Sequence, residues 1–324
     1  MISLGELERV PCDLCGSEDL ERLLPCDYFG LPIPTVQCRR CSLVFFSPRP
    51  QPTWYATFYK SHYRRLYTHQ AVDTIDDRYL RWRGEWDRAH WRIAILRQFL
   101  GTAPRVLDIG CGLGVFLAAL RSTFPSGYFL GIEPDAKYAS FARNEFKLDI
   151  RQQTLEDFRH EPSFTHAVAL HVMEHVPSPK AFLERVHSFL GHDDCLIVEV
   201  PNLHGEWRGL SMFHVAHTHC FSSLTLRYYL ESTGFQVVHL QQIEHRASPV
   251  AVLVVAKRGQ PRELELHPRM AAAERKLTRE LIAARIRHPR WSVARARTRV
   301  WLSDLLGPER FAGLVRQVKP GYQS

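Results

Sequence analysis

The sequence predicts an α/β protein whose centre is a parallel sheet covered by helices on both faces. Three observations predict it. The stretch Val106-Leu107-Asp108-Ile109-Gly110-Cys111-Gly112-Leu113-Gly114-Val115 reads as a short buried strand, a glycine-rich turn and the start of a helix. A second apolar run, Tyr128-Phe129-Leu130-Gly131-Ile132, ends on an acid, Glu133. From residue 105 to about 258, strand-like and helix-like segments alternate, as in a doubly covered sheet.

Taken in order, the strands are expected near 105–109, 128–133, 149–152, 165–170, 194–200, 235–244 and 249–256. Helices are expected near 113–124, 135–147, 178–190 and 222–233. Ligands of such sheets sit outside the carboxyl ends of the strands. Asp108, Glu133, Asp157 and His171 fall at or just past such ends. Gly110, Gly112 and Gly114 allow a sharp turn and close approach to a ligand, beside the exposed N–H groups of a helix start. The spacing is G-x-G-x-G, so it departs from the dinucleotide fingerprint and lacks the Lys-Ser/Thr of a phosphate loop. An acid ending the second strand can accept both ribose hydroxyls of a nucleoside. A nicotinamide-binding domain of the same build is the competing reading.

The chain has 324 residues, of which 45% are hydrophobic, enough for one sizeable domain with appendages. No apolar run has the length of a membrane span and the N-terminus lacks a signal-peptide pattern, so a cytoplasmic location is expected. The net charge of +8 is unevenly placed. Residues 257–324 hold 16 Lys and Arg against 6 Asp and Glu, leaving a near-neutral body and a basic tail.

Residues 1–48 form a cysteine module. Cys12-x-x-Cys15 and Cys38-x-x-Cys41, with 22 residues between them, suit a tetrahedral zinc ion in a ribbon-like fold. Iron–sulfur ligation or free thiols are the alternatives, and Cys26 is read as a bystander. A segment this small cannot bury enough core alone, so the metal's role is read as structural. Arg39 and Arg40 point only weakly to a nucleic-acid grip.

Residues 49–104 are a connector. Pro48, Pro50 and Pro52 break the chain before an aromatic run, Trp54-Tyr55-Ala56-Thr57-Phe58-Tyr59-Lys60-Ser61-His62-Tyr63. It either packs on the main domain or forms a lid, with Tyr59 or Tyr63 offering a hydroxyl to the acceptor. Trp82, Trp86, Ala89, Ile93, Leu96 and Leu100 recur at helical spacing and predict a core-facing helix over 78–100.

Asp108-x-Gly110-x-Gly112 followed by Glu133 resembles the class I S-adenosylmethionine (SAM)-dependent methyltransferases. The resemblance implies a Rossmann-like seven-stranded sheet over residues 105–258, between the zinc-ribbon-like module and a helical tail. It implies that Asp108, Gly110 and Gly112 face the amino-acid part of the cofactor, that Glu133 binds ribose and that Asp157 meets adenine. Asp157 reads equally well as a helix cap. His171-Val172-Met173-Glu174-His175-Val176-Pro177, the strand 194–200 and His217-x-x-x-Phe221-Ser222 resemble the sugar- and small-molecule-modifying branch, as does the four-cysteine module. His171 would then flank the cofactor, and His175 and His217 lead His214 and His219 as general bases. His171 and His175 have metal-like spacing, but their place after the fourth strand favours the cofactor side. In sugar C-methyltransferases the later loop carries a Glu-His pair and then a Tyr; here Ala216-His217 and Cys220 stand there, which favours O-methylation.

In residues 259–324 one amphipathic helix is expected over 263–286, with Leu266, Met270, Ala273, Leu277, Leu281 and Ala284 on one face. A second, Arg-rich helix is expected over 291–306. The tail either packs on the body or on a second subunit, or meets an anionic membrane surface or a phosphate-bearing acceptor. Alternating Arg is weak support for nucleic acid.

The leading expectation is therefore a SAM-dependent O-methyltransferase of a saccharide, nucleotide sugar or related small metabolite. Sugar C-methylation, RNA methylation and a non-enzymatic zinc-ribbon adaptor are the alternatives.

Overall fold

The computed structural model describes residues 3–61, 80, 84–159, 164–245, 248–263, 265–286 and 289–306. Strands β1 (Leu7–Glu8) and β5 (Arg49–Pro50) pair with each other. Strands β2 (Leu20–Leu24), β3 (Thr35–Cys38) and β4 (Val44–Phe46) form an antiparallel sheet. Helices α1 (Pro52–Ser61) and α2 (Glu85–Leu100) follow.

The body begins at β6 (Arg105–Ile109) and runs through α3 (Val115–Thr123), β7 (Tyr128–Ile132), α4 (Ala136–Phe146), β8 (Asp149–Arg151) and β9 (Phe164–Leu170). It continues through α5 (Pro179–His187), β10 (Leu190–Pro201), β11 (His219–Cys220), α6 (Ser223–Ser232), β12 (Phe235–His245) and β13 (Ser248–Arg258). The seven-stranded sheet has the order β12-β13-β10-β9-β6-β7-β8.

Strands β10, β9, β6, β7 and β8 are parallel, as expected. Strands β12 and β13 complete the sheet with one departure from parallel order: β13 is antiparallel to both β10 and β12. Only two residues separate β12 from β13 in sequence, too few for the crossover that parallel neighbours require.

Alternation along the strands divides the core. Leu107, Ala167, Leu196 and Val254 face α5, α6 and the cysteine module, together with Phe182 and Tyr229. Val106, Val168, Ile197 and Leu253 face α2 and α3, together with Ile93, Leu96 and Leu117. Each such side chain, fully buried, contributes roughly 1.5–3 kcal/mol. The helices start where side chains satisfy their first N–H groups: Asp135 accepts from Tyr138, Ser178 from Ala181, and Ser222 forms a capping box with Thr225.

The tail forms α7 (Pro268–Arg285) and α8 (Pro289–Leu306). The buried face of α7 differs from the expected one. Ala271, Thr278 and Ile282 are covered, whereas Met270 and Leu277 are half exposed. Polar contacts set this rotation: Ser42 Oγ donates to the Ala271 carbonyl at 2.7 Å, and His204 meets Thr278 at 3.0 Å. Among the described residues, no helix is long and apolar enough to cross a membrane.

Candidate active site

The first half of the site lies at the tips of β6 and β7. The backbone turns at Gly110 with φ 68°, and the Gly110 and Cys111 N–H groups donate to the Ile132 carbonyl at 2.8 and 3.1 Å. A Cβ on Gly110 would stand 2.8 Å from Val172 Cγ2. A Cβ on Gly112 would meet nothing within 4 Å, so this part of the turn borders open space. Glu133 is buried and holds the turn: Oε2 accepts from Gly112 N and Oε1 from Asp135 N, both at 2.9 Å. Asp108 is buried beside it. Burial pushes its carboxyl up to about 8, with Arg92 opposing and Glu133 adding to the rise. Asp157 is exposed and accepts from Thr154 Oγ1 at 3.0 Å, a local turn contact.

Behind the turn lies a charged relay that the sequence did not reveal. Arg92, on the helix predicted over 78–100 and next to its apolar stripe, grips Glu199 of β10 with Nε–Oε2 and Nη2–Oε1 bonds of 2.7 and 2.6 Å. His171 Nε2 reaches Glu199 Oε1 at 2.9 Å and its Nδ1 reaches Glu174 Oε1 at 3.3 Å. Burial works to lower the His171 pKa, but its two carboxylate partners outweigh it and raise it to about 9. Burial alone would push Glu199 up; Arg92 and His171 hold it well below the usual carboxylate range. Hydrophobic periodicity cannot show that an Arg on a buried face has a carboxylate opposite, because the two lie 107 positions apart. His171 itself sits at φ 56°, which aims its ring back at the sheet.

The second half of the site is a histidine cluster. His175 Nδ1 lies 2.9 Å from the Ala216 carbonyl, and Tyr59 Oη donates to the same carbonyl at 3.0 Å. A carbonyl only accepts, so Nδ1 of His175 carries the proton. His217 Nδ1 likewise meets the Met212 carbonyl at 3.2 Å. The rings of His175 and His217 are 5.1 Å apart, and those of His214 and His217 are 3.6 Å apart. Burial lowers the pKa of all three, which favours neutral imidazoles. His175 and His217 also converge with Glu174, one ligating atom from each lying within 4.8 Å of the others.

His219 stands apart. It stacks between Phe45 and Phe221 and bonds Thr218 Oγ1 at 2.9 Å. Tyr63 lies outside the described residues. An acid and a phenol flank His175: Glu174 Oε1 lies 3.8 Å from its Nε2 and Tyr59 Oη 3.1 Å from its Nδ1.

In the N-terminal module the four sulfurs of Cys12, Cys15, Cys38 and Cys41 lie within 4.8 Å of one another, with Cys12–Cys41 at 3.4 Å and Cys15–Cys38 at 3.5 Å. These spacings are too long for disulfides, and they approach the edge of about 3.8 Å that four thiolates make around zinc. The donor set fits that ion.

A protein-family model described as a methyltransferase domain matches residues 79–240, half of the chain. Two curated ubiquinone biosynthesis O-methyltransferases are similar over shorter stretches. That of Actinobacillus pleuropneumoniae serotype 5b is 28% identical over 109 residues, 30% of this chain and 46% of the relative. That of Bradyrhizobium diazoefficiens is 26% identical over 113 residues, 33% of this chain and 43% of the relative. The chain thus spans less than half the length of these relatives. Among solved structures, the 1,6-didemethyltoxoflavin-N1-methyltransferase of Burkholderia thailandensis, with bound 1,6-didemethyltoxoflavin and S-adenosylhomocysteine, aligns with a TM-score of 0.51. It shares 19% identity over 67% of this chain and 96% of its own, which is a likeness of fold. With the glycine turn, the two strand-tip acids and a family match over half its length, the chain belongs to the methyltransferase-domain family.

Proposed function

We propose that this chain is a SAM-dependent methyltransferase that O-methylates a saccharide, nucleotide sugar or related small metabolite. The observation that carries the reading is Glu133: a buried carboxylate at the tip of β7, tied to Gly112 N on the turn's open side. A carboxylate there is placed to take ribose hydroxyls, with Asp108 one strand away for the amino-acid end. His171, next to the Val172 that packs on Gly110, is proposed to flank the cofactor.

When bound, SAM supplies a methyl group on a sulfonium sulfur, already activated for displacement. The protein's work is then alignment and proton removal. A hydroxyl is a weak nucleophile until a base takes its proton. His175 and His217, half-buried and kept neutral, are the bases proposed here, with Tyr59 and the Ala216 carbonyl fixing the His175 ring. Tyr63 remains a proposed hydroxyl donor on the acceptor side. Zinc on the four cysteines is proposed as a structural ion.

Oxygen as the target atom is supported by the names of the curated relatives. The composition of the 216–220 loop no longer separates oxygen from carbon, because an acid and a phenol stand beside His175 after all. Those same names support a second acceptor class, the hydroxyl of a ubiquinone precursor.

The test is calorimetric titration with SAM and with S-adenosylhomocysteine, followed by labelled-methyl transfer to a panel of nucleotide sugars and phenols. Absence of heat with both ligands removes the enzymatic reading. Transfer to phenols alone replaces the saccharide reading with the second one.

A further inference from the structure

Asp13 lies between the first two cysteines, within the knuckle closed by the Gly16 N–H to Cys12 carbonyl bond of 2.8 Å. Its carboxylate leaves the module and enters the body. Oδ1 accepts from Ser178 Oγ at 2.6 Å, and Oδ2 accepts from Lys180 N at 3.0 Å and from Tyr229 Oη at 3.1 Å. Ser178 caps α5 and follows His175 by three residues; Tyr229 is fully buried on α6. One side chain therefore ties the cysteine knuckle to the end of the loop after β9, to the start of α5 and to the second half of α6.

The same module holds the other histidine segment. Strand β11 is its edge strand, paired as His219↔Phe45 and Cys220↔Val44, and Phe46 N donates to the Thr218 carbonyl at 3.2 Å. Arg49 Nη2 donates to the Pro177 carbonyl at 2.8 Å. Thr218 Oγ1 then stitches the two segments together through the Glu174 and Val176 carbonyls, at 3.1 and 2.7 Å. The turn at 110–114 and Glu133 are instead bonded to β7, to the segment after it, to the Arg151 carbonyl of β8 and within the turn itself.

We propose that Asp13 is a positioning residue for the acceptor half of the site, and that loss of the knuckle's metal disorders that half while leaving the cofactor half intact. The proposal rests on the zinc reading of the four cysteines for its metal arm only. On the zinc reading the ion fixes the knuckle on either side of Asp13, and with it the carboxylate's place.

The test uses the full chain and needs no acceptor. Hydrogen exchange is followed across the sequence in wild type, Asp13→Ala and Asp13→Asn, with SAM affinity by calorimetry and the ring signals of His175 and His217 by NMR. In Asp13→Ala, exchange over 173–178 and 214–220 is expected to rise about tenfold or more while β6 and β7 are unchanged. The SAM dissociation constant is expected to stay within about threefold, and the two ring signals to shift. Asp13→Asn, which keeps one acceptor oxygen, should fall between. If Asp13→Ala does not fold, Tyr229→Phe removes one contact only and should loosen the same two segments. Unchanged exchange there, or a rise shared by β6 and β7, overturns the proposal.

Zinc content is counted on the purified chain, and chelation should reproduce the Asp13→Ala pattern. Chelation that removes zinc without loosening 173–178 overturns the metal link. A chain that carries no zinc removes the zinc reading and the metal link, and the Asp13 variants still decide the positioning role.

Discussion

Arg92 and Glu199 form a bidentate ion pair inside the fold, at 2.6 and 2.7 Å, with Glu199 wholly buried. A buried pair is costly to break, because the remaining partner is left charged and without compensation. Glu199→Ala is therefore expected to cost about 3–5 kcal/mol in denaturant unfolding. The double replacement Arg92→Met with Glu199→Leu should cost markedly less. Equal losses in the single and double variants would argue against the pair as the source.

Glu133→Ala removes the carboxylate from the open side of the turn. SAM affinity is expected to fall about 10- to 100-fold, the range for a lost hydrogen bond to a charged group. Circular dichroism should be unchanged. Unaltered calorimetric affinity would mean that the cofactor does not lie against β7.

His175→Gln and His217→Gln should each lower turnover about 10²- to 10⁴-fold, with SAM binding retained, if either ring is the base. Burial lowers both imidazole pKa values. The acid limb of the pH–rate profile should therefore lie below the ordinary imidazole value of about 6.5. A limb at or above that value would assign the proton transfer to another group.

His171 has the opposite sign. Its pKa is raised from 6.5 to about 9, so the folded chain binds this proton more tightly than the unfolded chain. Its contribution to stability is present below pH 6.5 and is lost as pH rises through about 9. His171→Gln should flatten that part of the stability curve. The side chain is 37% exposed, so solvent screening keeps the change modest.

Cys38→Ser should release zinc and lower the melting temperature, checked by metal analysis and calorimetry. An unchanged melting temperature with full metal content would show that Cys38 is not a ligand.

Local pattern made much of the architecture legible. Each of the seven sheet strands and four helices expected between residues 105 and 258 has an observed counterpart, because short apolar runs and 3.6-residue stripes are local signals. The glycine turn and the places of Asp108 and Glu133 at strand ends were legible for the same reason, since each is set by the short run it closes. Asp157 was less so, since an acid in a turn bonds its own neighbours as readily as a ligand. The buried face of α7 was misread because its apolar stripe was weighed without the partners that Ser42 and His204 provide.

What the sequence determined by itself was the order and type of elements, the glycine hinge with its two acids, and the paired cysteines. Tertiary structure alone decided the antiparallel edge, the Arg92–Glu199–His171–Glu174 relay, and the meeting of Tyr59, His175 and His217. It also decided that Asp13 reaches Ser178 and Tyr229, 165 and 216 positions away. The physical reason is range. Propensity and periodicity act over a few residues, whereas an ion pair or a hydrogen bond between distant segments exists only after burial of the sheet's two faces has brought them together.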